Sequence, residues 1–249
     1  MNSQPSDNSL EFARKGIRNV GIEGQYAIQT RYLSRVFHLG TREVHALREI
    51  DFVVKPGEFV AIMGPSGGGK STLLSLLGGL DTPSFGTVLL ERQDLFAMTE
   101  AERVELRRGG IGYIFQGYDL LPALTVLENV EYPLLVSKIS SFERRNRAMA
   151  MLLEVGLEGK ENFLPDELSG GQQQRVGIAR CLVSEPRIVL ADEPTGNLDT
   201  TTTDSILELL KHAVLKRNMT LVIVTHDPDV AAHADRIVRL RDGRIEMTS

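Results

Sequence analysis

The sequence predicts an α/β fold, a mainly parallel sheet with helices on both faces, and three observations carry that reading. Short β-branched apolar runs alternate with helical stretches from Ile28 onward. One such run, residues 58–63, leads into a glycine-rich loop that opens into a helix. The chain is 249 residues long with 42% hydrophobic content, enough to bury a large core.

Taken in order, residues 1–27 are rich in Ser, Asn, Gly and charge with little periodicity, and read as a mobile N-terminal extension. Arg14, Lys15 and Arg18 are too few to make a lipid-binding patch. Residues 28–249 read as the folded unit. Strands are expected at 50–54 and 58–63, a helix at 71–77 and a further strand at 86–90. Residues 99–108 form a charged helix opened by a Thr99 cap with Glu102 three positions on. Helical patterns dominate 125–156, with Pro133 as a break, inside a helical subdomain of about 117–170 inserted in the core. Arg144, Arg145 and Arg147 read as its solvated face. Then come a helix from Ser169 to about 184, a buried strand at 187–191, a helix from 203 and a strand at 220–224.

The formal net charge is -5, from 28 basic and 33 acidic residues, so the basic surface of a general nucleic-acid binder is not expected. Cys181 is the only cysteine; it cannot form an internal disulfide and reads as a packed, inert thiol within a helix. No run approaches the roughly 18 apolar residues that a spanning helix needs, and the N-terminus lacks the apolar stretch of a secretory signal. The expected location is cytoplasmic, with any membrane segment supplied by a partner.

Gly64-Pro65-Ser66-Gly67-Gly68-Gly69-Lys70-Ser71 fits the G-x-x-x-x-G-K-[ST] phosphate loop. Its glycines let backbone N–H groups wrap phosphate oxygens, and the following helix adds its positive end. Gly64, Ser66, Gly67, Gly69, Lys70, Ser71 and Thr72 are the nucleotide-binding candidates, with Lys70 on the β- and γ-phosphates and Ser71 a ligand for Mg2+. By itself the loop fits a kinase or a GTPase equally well. Asp192 ends an apolar strand, where a carboxylate needs a cation or hydrogen-bond donors; it reads as a Mg2+ holder or as a helix cap.

Leu168-Ser169-Gly170-Gly171-Gln172, continued by Gln173-Gln174-Arg175, resembles the signature of the ATP-binding-cassette (ABC) ATPases, and the resemblance runs from about residue 28 to 247. It implies a P-loop NTPase core with a small antiparallel β subdomain and the inserted helical subdomain. It also implies a head-to-tail homodimer in which Ser169, Gly170, Gly171 and Gln172 of one subunit face the ATP held by the loop of the other. Glu193, directly after Asp192, matches the general base that polarises the attacking water. Gln116 matches the glutamine that reaches Mg2+ and that water, and His226 the switch histidine at the γ-phosphate. Asp199 matches the loop that communicates across the dimer. The adenine is expected on Phe37, with Tyr32 as a competitor. Gly68 stands where the family often has serine.

Residues 79–81, 115–122, 128–135 and 191–199 resemble the lipoprotein-releasing and macrolide-exporting branch. That implies an ATPase peripheral to the cytoplasmic face of the (inner) membrane, driving a separate integral membrane permease. Tyr118, Leu120, Leu121, Pro122 and Leu124 either line a groove for a helix of that permease or pack the subdomain core. Two other classes stand beside this one. A regulatory ATPase of the same branch would signal through a membrane partner, as in cell division. A soluble cassette protein of translation or DNA repair usually carries two cassettes or a long coiled-coil insertion, and neither is seen.

Overall fold

The computed structural model describes residues 26–246 other than 41, 137 and 138. The predicted N-terminal extension therefore lies outside the described residues, apart from Tyr26 and Ala27. In chain order the elements are β1 (Ile28–Leu39), β2 (Arg42–Val54), β3 (Phe59–Met63), α1 (Lys70–Leu77), β4 (Phe85–Leu90), β5 (Gln93–Asp94), α2 (Glu100–Gly109), β6 (Ile111–Ile114), α3 (Val126–Glu131), α4 (Ser141–Glu154), α5 (Gly170–Leu182), β7 (Ile188–Asp192), α6 (Thr200–Arg217), β8 (Thr220–Thr225), α7 (Pro228–Ala231), β9 (Arg236–Arg241) and β10 (Arg244–Ile245).

The strands form two sheets. The larger runs β10-β9-β3-β8-β7-β6 and is parallel except for the terminal β9–β10 hairpin. The smaller, β2-β1-β4-β5, is antiparallel throughout. The α/β class is as the sequence predicts.

Alternation along the central strands explains how one sheet serves two cores. Phe59 and Ala61 of β3, with Leu221 and Ile223 of β8, face a cluster built with α3 to α7. Val60 and Ile62, with Val222 and Val224, face a second cluster containing Leu73, Leu74, Leu76 and Leu77 of α1 and the inner face of the antiparallel sheet. α1 is thus clamped between the two sheets, and this clamp fixes the phosphate loop at its head.

Capping sets the helix starts. Thr99 and Glu102 form a reciprocal box at α2, as do Thr125 and Glu128 at α3. The break at Pro133 is a 3-10 turn, Tyr132–Val136, between α3 and α4. α6 begins at Thr200, earlier than the 203 expected, because Asp199 caps it. β1 escapes alternation because its pairing slips at Tyr32, Leu33 and Arg35, and Tyr32 adopts φ 49° in the bulge.

Candidate functional site

Strand register gathers the site. Met63 of β3 pairs with Thr225 of β8, Asp192 of β7 with Val224, and Ile114 of β6 with Ala191, so these strands end together. The chain leaving their carboxyl ends carries Gly64, His226, Glu193 and Gln116 to a single edge, where open parallel sheets bind ligands.

The loop after β3 needs its glycines for two reasons. Gly67 and Gly69 adopt φ 75° and 97°, left-handed values that strain a side-chain-bearing residue. In addition, a Cβ on Gly64 would stand 2.0 Å from the Leu240 carbonyl oxygen, and one on Gly69 2.4 Å from that of Ala46. The loop is pressed against β2 and the β9–β10 turn, a contact that sequence reasoning missed although Asp242-Gly243 is a readable hairpin signal. At Gly68 a Cβ would lie 3.0 Å from the Pro65 carbonyl oxygen, tight but not impossible for a serine. Lys70 is buried, and its Nζ donates to the carbonyls of Gly64 (2.8 Å) and Pro65 (3.1 Å).

Ser71 Oγ donates to Asp192 Oδ1 at 3.2 Å. Burial holds the Asp192 carboxyl above its ordinary pKa; the Ser71 hydrogen bond and the Lys70 charge oppose that push, and the Glu193 charge adds to it. Asp192 belongs to no ion pair among the described residues, a costly position that a cation would relieve. Among the described residues no cluster of three or more His, Cys, Asp or Glu could hold a metal. The donors on offer are one carboxylate, a hydroxyl and the Gln116 amide. Such a set fits Mg2+, which keeps waters and takes phosphate oxygens to complete its shell.

Glu193 adopts φ 42°, a left-handed conformation costing about 1–2 kcal/mol for a residue with a Cβ. Its N–H donates to Val224 O at 3.0 Å and its carbonyl accepts from Gly196 N at 3.1 Å, which holds the turn. The strained turn points the carboxylate at His226, whose Nδ1 lies 2.9 Å from both carboxylate oxygens. A Cβ on Gly196 would be 2.9 Å from Gln116 Nε2 and 3.3 Å from Glu193 Oε2, so amide and carboxylate converge over this glycine. Asn197 Nδ2 donates to the Gln116 carbonyl at 3.3 Å and steadies the loop.

The signature motif stands apart. Ser169 caps α5 by accepting from Gln172 N (3.4 Å), while the Gln172 side chain accepts from Ser169 N (3.1 Å). Cβ atoms on Gly170 and Gly171 would meet the Tyr118 hydroxyl and Thr202 Cγ2 at 2.9 and 2.5 Å. Among the described residues no hydrogen bond joins 169–172 to the phosphate loop. Asp199 caps α6 through Thr202 N and Oγ1, at 3.0 and 2.7 Å. Ser66, Gly67, Ser71, Ser169 and Asp199 are all exposed, whereas Thr72 is half-buried.

Phe37 lies opposite Val44, two residues from the Ala46 carbonyl that backs the loop, with the Arg35 guanidinium 4.6 Å from its ring centre. Tyr32 sits in the bulge of β1, beside Gly86. A groove of about 520 Å³ runs between β6 and the Tyr132–Val136 turn, lined by Phe115, Leu121, Tyr132, Val136 and Arg180 among others. Leu121 lines it, but Leu120 packs on the core. Cys181 is buried at its floor, and burial pushes the thiol up to about 12, as an inert cysteine requires.

Residues 47–196 match the ABC transporter family. The chain is similar to the ABC transporter ATP-binding protein YvrO of Bacillus subtilis, 47% identical over 86% of this chain and 93% of that one. It is also similar to the lipoprotein-releasing system ATP-binding protein LolD of Syntrophotalea carbinolica, 46% identical over 89% and 98%. Among solved structures it resembles the dimer of MJ0796, a bacterial ABC transporter cassette, with TM-score 0.83 and 43% identity over 88% of this chain and 97% of that chain. A post-hydrolysis dimer of the same cassette with ADP and Pi fits with TM-score 0.82 and 42% identity over the same shares.

Proposed function

The chain belongs to the ABC transporter ATP-binding family, and from that premise we propose that it hydrolyses ATP as a head-to-tail homodimer driving a permease of the lipoprotein-release or macrolide-export type. The observation that carries the reading is the convergence of the Glu193 carboxylate, His226 Nδ1 and the Gln116 amide beside a loop built for phosphate.

In this reading the loop N–H groups and α1 hold the phosphates, and Lys70 exchanges its two carbonyl partners for the β- and γ-oxygens. Mg2+, when bound, supplies charge neutralisation on the phosphates. Ser71 and Asp192 would hold it, with the Gln116 amide as a further donor. Water attacks the γ-phosphorus, the bond to the bridging oxygen breaks, and Glu193 accepts the proton. His226 orients Glu193 and faces the γ-phosphate. Phe37 offers its ring to the adenine.

The exposure of Ser169 and Asp199 supports the dimer, because each subunit presents a signature that its own loop does not use. ATP buried between two such faces stabilises the closed pair, and hydrolysis releases it. The groove supports the permease reading, since its apolar lining suits an amphipathic helix. In this reading the subunit sits peripherally on the cytoplasmic face of the membrane; among the described residues no helix is long and apolar enough to cross one. The LolD relative, named for lipoprotein release, supports the branch.

The test is Glu193→Gln. It should reduce turnover by at least about a hundredfold, the range of general-base catalysis, while trapping an ATP-bound dimer seen by gel filtration. Hydrolysis at the original rate would refute the assigned base.

A further inference from the structure

Tyr118 and Asp119, two and three residues after Gln116, depart from relaxed backbone. Tyr118 and Asp119 follow each other at φ 62° and 48°, left-handed values that residues with a Cβ rarely adopt in succession. The Arg180 guanidinium holds them, donating from Nη1 to the Asp119 carbonyl (2.5 Å) and from Nη2 to the Tyr118 carbonyl (2.9 Å). Among the described ion pairs Arg180 has no carboxylate partner, and burial pulls its pKa down against the opposing charge of Asp119. A half-buried cation without an ion pair is costly, and its described bonds all go to these two carbonyls.

Tyr118 lies along the helix that Arg180 closes. Its carbonyl oxygen is 3.5 Å from where a Cβ on Gly177 would stand, and its hydroxyl 2.9 Å from the same point on Gly170. The residue therefore covers α5 over about two turns, back to the signature end. Between these glycines Gln174 is fully buried, and both its amide atoms lack a partner among the described residues. The same strip of helix thus has unspent polar capacity facing the loop backbone.

We propose that Arg180, acting with Tyr118, is a positioning residue that straps the Gln116 loop to the signature helix. Gln116, serving this subunit's nucleotide, and Ser169, presented to the partner's, then move as one body. This rests on the dimeric ATPase reading. Occupancy of one site is reported to the other through the strap, so ATP turnover is cooperative. Because Arg180 also lines the groove, a helix seated there bears on the same strap.

The experiment uses the full chain with MgATP and the variants Arg180→Ala, Arg180→Lys and Tyr118→Phe. It reads turnover against ATP concentration, binding of a fluorescent ATP analogue, and thermal unfolding. For Arg180→Ala, turnover should fall about tenfold or more, as expected for lost charge-assisted hydrogen bonds. The Hill coefficient should drop to about 1, with analogue affinity and melting temperature nearly unchanged. Lysine keeps the charge but not the fork, so its effect should be intermediate. Unchanged turnover and cooperativity in Arg180→Ala, loss of analogue affinity in parallel with turnover, or a wild type without cooperativity would each overturn the inference. If the alanine variant does not fold, wild-type cooperativity in both Arg180→Lys and Tyr118→Phe overturns it. The parent reading fails separately, through a Glu193→Gln variant that still turns over.

Discussion

Two helix N-termini that we propose as anion sites, at α1 and α5, are finished in different ways. At α1 the cap is Gly69, left-handed and without a side-chain bond, so the first N–H groups stay open to a ligand. At α5, Ser169 and Gln172 satisfy each other's N–H groups. The first helix is wedged between two sheets with Lys70 buried at its head, although Ser66, Gly67 and Ser71 at its mouth are exposed, as Ser169 is. In the proposed reading, an open terminus enclosed from behind by two sheets holds a nucleotide without help. In the same reading, a self-capped, exposed terminus exchanges its own bonds for a phosphate brought by another subunit, and that suits reversible contact.

Removing a charge from the enclosed site should break the comparison most severely. Lys70→Ala should lower kcat/KM for ATP by about a thousandfold, the scale of losing a preorganised phosphoryl clamp, with binding lost in the single subunit. A pH titration comes next. Because burial raises the Asp192 pKa, its proton returns at a higher pH than for an ordinary carboxylate, and Mg2+ needs the ionised form. Mg2+-dependent ATP binding should weaken about tenfold per pH unit below that raised pKa, and Asp192→Asn should remove the dependence. Ser169→Ala, at the exposed site, should cost only about fivefold in turnover, one neutral hydrogen bond, and leave binding by the single subunit unchanged. Equal losses of single-subunit binding in Lys70→Ala and Ser169→Ala would erase the distinction.

The enclosed site was legible because its parts are local: a glycine loop between an apolar strand and a helix, and an acid at a strand end. Gly64 to Ser71, and Asp192 with Glu193, could be read from neighbours in the chain. What the sequence could not carry is contact at long range. Leu240 and Ala46 press on the loop from β9 and β2, and no periodicity near Gly64 announces them. Leu120 and Leu121 are adjacent and equally apolar, yet one faces the core and the other the groove. The bulges of β1 likewise hid a strand, because each slip resets the alternation that reveals strands.

The smallest predicted effect lies at a point remote from both anion sites, where α4 meets the end of α6. Glu154 accepts from Arg217 Nη2 at 2.8 Å through both oxygens and lies 3.2 Å from Lys216 Nζ. Burial raises its pKa, but the bonds from Arg217 and then Lys216 outweigh it, and the net value falls below the ordinary 4.5. A carboxylate depressed on folding adds stability that is present above its unfolded pKa and is lost as pH falls through the folded one. Glu154→Gln should therefore cost about 1 kcal/mol at neutral pH, discounted for partial exposure, and the difference from wild type should vanish in acid. Thermal unfolding at several pH values measures it. ATP turnover should stay at the wild-type level, because this pair ties helices together without touching either helix N-terminus. A turnover loss larger than the stability loss would mean that the self-capped site depends on how α4 is held, and that its exposure alone does not set its behaviour.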